Sequence, residues 1–142
     1  MNTKRGLVLE ALKEELKKIS KANGFNLDLY GNVKKRFIFP SDDPELPIVC
    51  LTAGSESITY QPGGPQDRYL TVVVRFYIES QDDIVDKQEK IIQDIEKVVD
   101  ASSRLVLGDG TITRDIKIQL IDTDQGILAP LGTGEIQLIV EY

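Results

Sequence analysis

The sequence predicts an α+β domain: a mainly antiparallel sheet of four to five strands carrying two helices on one face, in the order α-β-(β)-β-α-β-β. Two neighbouring stretches carry this expectation. Over residues 68–80, Leu70, Val72, Val74, Phe76 and Ile78 alternate with Tyr69, Thr71, Arg75 and Glu79, the period of two of a half-buried strand. Directly afterwards Ile84, Ile91, Ile92, Ile95, Val98 and Val99 recur at helical spacing to about Ala101. A strand that runs straight into an amphipathic helix, each with one apolar side, most simply buries the two sides against each other.

At 142 residues the chain has the size of one domain, taken here as 1–142. A chain of that length buries roughly 68–70% of its unfolded surface, so it needs neither metal nor disulfide to fold. The 41% hydrophobic and 28% charged residues are ordinary for a globular protein. Net charge is −6 with a pI near 4.7, and the acids are scattered. That balance argues against a surface that grips nucleic acid, which needs clustered Lys and Arg to neutralise phosphates. It permits a surface that DNA slides past. A lone cysteine, Cys50, excludes an intrachain disulfide framework and points to a reducing compartment. No basic-then-apolar leader and no apolar run near 18 residues is present, so neither secretion nor membrane insertion is expected.

In chain order, Asn2 or Thr3 can cap a first helix along Leu9, Leu12, Leu16 and Ile19, widened by Val8 and Ala11. Glu14 and Lys18 are spaced i, i+4 on its wet side, and Asn23-Gly24 reads as its stop. Phe25, Leu27, Leu29 and Tyr30 alternate briefly before Gly31-Asn32 turns the chain. Lys34, Lys35 and Arg36 precede Phe37-Ile38-Phe39, and Pro40, Pro44 and Pro47 make 40–47 an extended connection. The basic triplet is either a solvated face or a contact for an acidic partner. Pro47 opens a strand, Ile48–Leu51, which Ser57–Tyr60 either pairs with or continues across a bulge near Gly54. Gln61–Gln66, with two glycines between two prolines, is a hairpin tip feeding the strand at 68. Ser80-Gln-Asp-Asp83 supplies a helix start of the capping-box kind. After the second helix, 105–110 is a turn-rich link. Two alternating strands close the chain: Ile116, Ile118 and Leu120 share one face, as do Ile136, Leu138, Val140 and Tyr142. Asp122–Gly134 joins them, longer than a tight hairpin needs.

Candidate chemistry is sparse. The absence of histidine removes His-based triads and most transition-metal sites. Cys50 sits mid-strand, where a buried thiol is inert. Asp122-Thr-Asp124-Gln-Gly126 has a calcium-loop texture but lacks the third acid, and Thr133 stands where the bidentate Glu would be. Asp82, Asp83 and Asp86 are explained by the helix dipole. The glycine-rich tip leads into a strand, not a helix N-terminus, so it is no phosphate cradle. The sequence predicts no catalytic, cofactor or metal site, and no cofactor. It does ask for a partner: Tyr69, Val73, Tyr77, Ile121 and Ile139 all fall on the face opposite the helices, too apolar to be wholly wet. A subunit contact would cover them, as would a long loop.

This order of elements resembles the bacteriophage tail terminator family over roughly Thr3–Tyr142. The likeness rests on the N-terminal helix, the proline-bearing approach to the first strand at 44–51, the long hairpin, the strand at 70–78 running into a four- to five-turn helix, the connection at 122–134, and the last strand ending at Tyr142. The resemblance implies a structural protein: a homohexameric ring that caps the tail tube, ends its polymerisation and meets the neck. Implied partners are further copies of the chain, the tail tube protein, a sheath protein where one exists, and the neck connector. DNA would pass through the lumen without specific binding, and the place would be the tail–neck junction of the virion, assembled in the host cytoplasm. Within that frame the parts expected to reach neighbours are the 33–47 extension with Lys34, Lys35 and Arg36, and the tip with Gln61, Gly63, Gly64 and Gln66. Three other readings stay open: a head–tail connector or other neck component, a small-molecule-binding regulatory domain, and an enzyme using carboxylates alone.

Overall fold

The computed structural model describes residues 3–39 and 45–142. Helix α1 (Lys4–Leu16) is followed by a short strand β1 (Val33–Lys34) and two long ones, β2 (Ile48–Tyr60) and β3 (Gln66–Glu79). Helix α2 (Ile84–Ala101) then leads to β4 (Asp115–Thr123) and β5 (Leu131–Glu141). The five strands form one sheet in the order β1-β2-β3-β5-β4, antiparallel except for the β1–β2 pair. The predicted α+β class and element order hold. Ser57–Tyr60 continues β2 across an irregularity between Ala53 and Glu56, so the fifth strand is Val33–Lys34 instead.

β3 is the spine. It is paired along its length, to β2 on one side and β5 on the other. Leu70, Val72, Val74, Phe76 and Ile78 are all inaccessible, packed beneath Val8, Leu12 and Leu16 of α1 and Ile91, Ile95 and Val98 of α2. The predicted alternation and the helical spacing therefore meet in one core. β5 answers with Ile136, Leu138 and Val140 on the same side. Further along that face it carries Gly132 and Gly134, where larger residues would not fit. A Cβ on Gly132 would lie 2.6 Å from Ile84 Cδ1, and one on Gly134 would run into the ring of Phe76, its register partner across the ladder. Glycine here is room for a neighbour's side chain.

Several boundaries move from their expected places. Thr3 does cap α1, its Oγ1 accepting from the Gly6 amide at 3.0 Å. The helix nevertheless ends at Leu16, and Gly24 (φ 87°) closes a separate 3-10 turn at Lys21–Asn23. Ile19 stays buried, and the short turn lets Leu29 return to donate its amide to the Ile19 carbonyl. Lys18 pairs with Glu15 and Lys17 with Glu14, in place of a Glu14–Lys18 pair. Ser80 Oγ accepts from the Asp83 amide at 3.2 Å, but this is a turn before the helix, which begins at Ile84. The strand alternation expected at 25–30 is absent: Leu29 is buried, while Tyr30 is exposed with φ 52°. Of the predicted 40–47 connection, residues 40–44 lie outside the described residues. A shift in β4 between Ile118 and Leu120 exchanges two faces, placing Leu120 across from Gln137 and Ile121 across from buried Ile136. The connection to β5 shrinks to 124–130 because both strands extend into the expected loop.

Gly134→Ala should lower stability by about 1–3 kcal/mol by overpacking the Phe76 ring. Adding Phe76→Leu should recover part of that loss, since the two sites share one volume. Chemical denaturation of the two single variants and the double variant gives the coupling; additive losses would reject the shared-volume account.

Candidate assembly interface

The β2–β3 hairpin outruns the sheet. β5 pairs with β3 only as far as Tyr69–Glu141, with one further bond from the Tyr142 amide to the Arg68 carbonyl. Beyond it, Ile58–Tyr60 and Gln66–Arg68 pair with each other alone and form a projecting arm. Two-stranded ribbons are marginal in water, and this one is braced at its root. Asp67 takes a bond from Gln61 Nε2 at 2.7 Å and one from Arg114 at 2.5 Å, which hold its carboxyl below the usual range, Gln61 contributing most. Arg68 donates to Gln66 Oε1 at 2.9 Å and to Glu56 at 3.3 Å, while the Tyr142 hydroxyl donates to Glu56. The side chains of Gln61 and Gln66 are thus spent inside the arm. Gly63 and Gly64 (φ 91° and 105°) form its exposed turn. Tyr60, 70% exposed, and Ile58 lie on the helix-side face of the arm.

The basic triplet divides. Lys34 belongs to β1, and Lys35 pairs with Glu10 of α1, holding that carboxyl below its usual range. Lys34 and Arg36 make no ion pair among the described residues. The chain then crosses the sheet's outer face. Ile38 is buried with Ile48, Cys50 and Tyr77 in a second cluster away from the main core. Phe37 lies 4.1 Å from the Arg75 guanidinium carbon, and its ring meets Phe39 edge-on at 4.7 Å. Burial pushes both the Cys50 thiol and the Tyr77 hydroxyl to higher pKa.

This placement corrects the predicted outer patch. Tyr77 is covered by its own chain, 4% exposed, so a loop does there what a subunit was expected to do. Ile121 turns to the helix side through the β4 irregularity. Tyr69, Val73 and Ile139 do lie on the outer face, each partly exposed. Tyr69 and Ile139 help to line a shallow depression of about 290 Å³ with Asp115, Lys117, Ile118 and Glu141. Among the described residues no group of His, Cys, Asp or Glu is placed to hold a metal ion, and no helix is long and apolar enough to cross a membrane. Asp124, from the calcium-like stretch, instead pins its own loop, accepting from Gln88 Nε2 at 2.5 Å and the Gly126 amide at 3.0 Å.

Sequence reasoning missed the brace at the arm's root. Arg114, Asp67, Glu56 and Tyr142 are distant in the chain, and only sheet register brings them together. The brace has a pH signature. Burial and the bond to Glu56 push the Tyr142 hydroxyl up to about 12, whereas an unfolded tyrosine titrates near about 10. The folded chain therefore keeps a proton that the unfolded chain releases. Its stabilising contribution is complete below pH 10 and is lost as pH rises toward 12. Unfolding curves across this interval should fall more steeply for the native chain than for Tyr142→Phe; parallel curves would reject the assignment.

Comparisons with known proteins agree with this architecture. A family model described as Bacteriophage Tail Tube Terminator Protein matches residues 2–142. The tail tube terminator protein of Escherichia phage T5 is 31% identical over 126 residues, covering 81% of this chain and 76% of its own. A solved chain from the virion of a native gene transfer agent particle shares the fold at TM-score 0.61 and 13% identity, covering 96% of this chain and 94% of that one. The match across nearly all residues, joined to a relative above 30% identity, identifies the chain as a member of the bacteriophage tail tube terminator family.

Proposed function

We propose that the protein caps the tail tube of a virion as a closed ring of identical subunits, six in number, and so ends tube polymerisation at the tail–neck junction. The family match over residues 2–142 is the observation that carries this reading. The physical problem it solves is specific. A growing tube offers an unsatisfied edge, and a terminator must match that edge on one side without presenting a copy of it on the other. This chain is suited to that task because the two ends of its sheet are unlike. One end carries the braced arm with its glycine turn. The other carries the start of α2 and the 124–130 loop, where Ile127 and Leu128 are exposed.

The role is structural and non-catalytic. The arm with Gly63 and Gly64 at its turn reaches a neighbouring subunit or the tube protein, and the partly open strip at Tyr69, Val73 and Ile139 takes part in a subunit contact. A net charge of −6 per chain favours a lumen that DNA traverses without adhering, because like charge repels phosphate. The neck connector meets the face turned from the tube. Assembly takes place in the host cytoplasm.

Replacing residues 61–65 by a two-residue Asn-Gly turn should keep the fold: it removes the Gln61–Asp67 bond but leaves the bonds of Arg114 to Asp67 and of Arg68 to Glu56, and a two-residue turn suits the Tyr60–Gln66 pair. Purified native protein added to polymerising tube protein should give short tubes with closed ends in negative stain. The turn variant should melt close to the native chain and leave tubes long. Unchanged capping by the variant would remove the arm from the contact, and native protein without effect on tube length would sink the capping role itself.

A further inference from the structure

The sequence leads one to expect that the 33–47 extension reaches outward, yet residues 35–39 lie across the outer face of their own sheet like a strap. Among the described residues Ile38 is the strap's one buried side chain, a plug set against Ile48, Cys50 and Tyr77. The Ile38 amide also donates to the Cys50 sulfur. The other described ties are at the surface. Lys35 pairs with Glu10, and an ion pair open to water holds little. The Phe37 ring, 40% exposed, rests on the Arg75 guanidinium and meets Phe39 edge-on. Such a contact is weak where water reaches it.

The base of the extension is held without the plug. Asn32 Nδ2 donates to the Glu45 carbonyl at 2.7 Å and to the Pro47 carbonyl at 3.1 Å, while the Asn32 carbonyl accepts from the Val49 amide at 3.1 Å. Asn32 thus clasps the two limbs where they meet the sheet, and Lys34 stays in register with Cys50. The floor beneath the strap is equally secure. Ile48 registers with Tyr77 and Cys50 with Arg75 in the β2–β3 ladder, whose opposite face carries Val49, Leu51, Val74 and Phe76 of the main core. Neither clasp nor floor needs Ile38. Lifting the strap gives up the burial of one isoleucine and returns backbone freedom to five residues, so the two effects oppose each other.

We propose that residues 35–39 form a strap that opens and closes on the folded subunit, hinged beside Lys34, and that its opening uncovers Ile48, Cys50 and Tyr77. Closed, the chain shields this part of its own sheet. Open, the three residues extend the apolar strip at Val73 toward the start of β2, and Phe37 and Ile38 are free to reach beyond the subunit. The inference goes beyond the capping role and stands without it. Cys50 is its reporter: it is the chain's single cysteine and lies buried under the plug.

Thiol labelling of the full chain by a nitrobenzoate disulfide reagent tests the strap under native conditions. Cys50 should react more slowly than in the unfolded chain, at the thiol's own rate multiplied by the open fraction. That rate should stay nearly flat at low urea, because a local opening exposes little surface. Ile38→Ala should quicken labelling about tenfold or more, the plug having lost most of its buried side chain. Ile95→Val, in the main core on α2, should lower the melting temperature yet leave labelling within about twofold of native, since it destabilises open and closed forms alike. A rate that climbs with urea along the global unfolding curve, or that Ile95→Val quickens as far as it lowers stability, ties Cys50 to global unfolding and overturns the strap. Ile38→Ala without effect on the rate overturns it too, and a native thiol as reactive as the unfolded one overturns the closed state.

Discussion

The double pairing of β3 is the constraint on which the rest depends. A central strand hydrogen-bonded on both sides cannot slip by one residue without sending Leu70, Val72, Val74, Phe76 and Ile78 to the wrong face of the sheet. That register fixes where α2 begins, since β3 hands over to it within a few residues. It also fixes where β5 must thin to glycine, because Phe76 and Ile84 need the volume. The arm, the brace and the 124–130 loop are positioned by the same ladder. They are extensions of its two ends.

Each sheet edge is guarded. β2 shifts register between Ala53 and Glu56, and the Gly54 carbonyl within that irregularity accepts from the Arg5 side chain. β4 shifts between Ile118 and Leu120 and exposes Lys117. Irregularities and charge on an edge discourage the strand-to-strand addition that would otherwise let sheets merge without limit. For a protein whose family ends a polymer, this matters. Growth by edge pairing is open-ended, whereas contact through faces and loops can be made once per side and closed.

Much of the fold was legible in the sequence because its signals are local. Period two over 68–80 and helical spacing over 84–101 survive into the structure with every named apolar residue buried. The irregularity near Gly54 was readable as one of two alternatives, from a glycine between two apolar runs, and the structure takes that one. Illegible were features decided at long range. Whether Leu120 or Ile121 faces the helices depends on one extra residue in β4 relative to β5, which alternation alone does not reveal. Tyr77 alternates outward as expected, yet Ile38, about forty positions earlier in the chain, folds over it. Of the candidate contacts, Gly63 and Gly64 were recognisable as a turn, while the engagement of Gln61 and Gln66 within the arm follows from side-chain geometry that alternation does not carry. The family resemblance was legible through element order, which survives where individual residues change.

The cluster of Ile38, Ile48, Cys50 and Tyr77 has a consequence for how the molecule comes apart. It is a small second core on the far side of the sheet from the main one, capped by a short segment that includes Phe37 over Arg75. Among the described residues Ile38 is the segment's one buried member of the cluster, so the segment can lift in a local opening at a fraction of the free energy needed to separate the helices from the sheet. The strands stay paired in such an opening, because Ile48, Cys50 and Tyr77 belong to β2 and β3, which also carry the main core. The main core on the helix side holds the strands, so the covering segment can repack without unfolding the subunit.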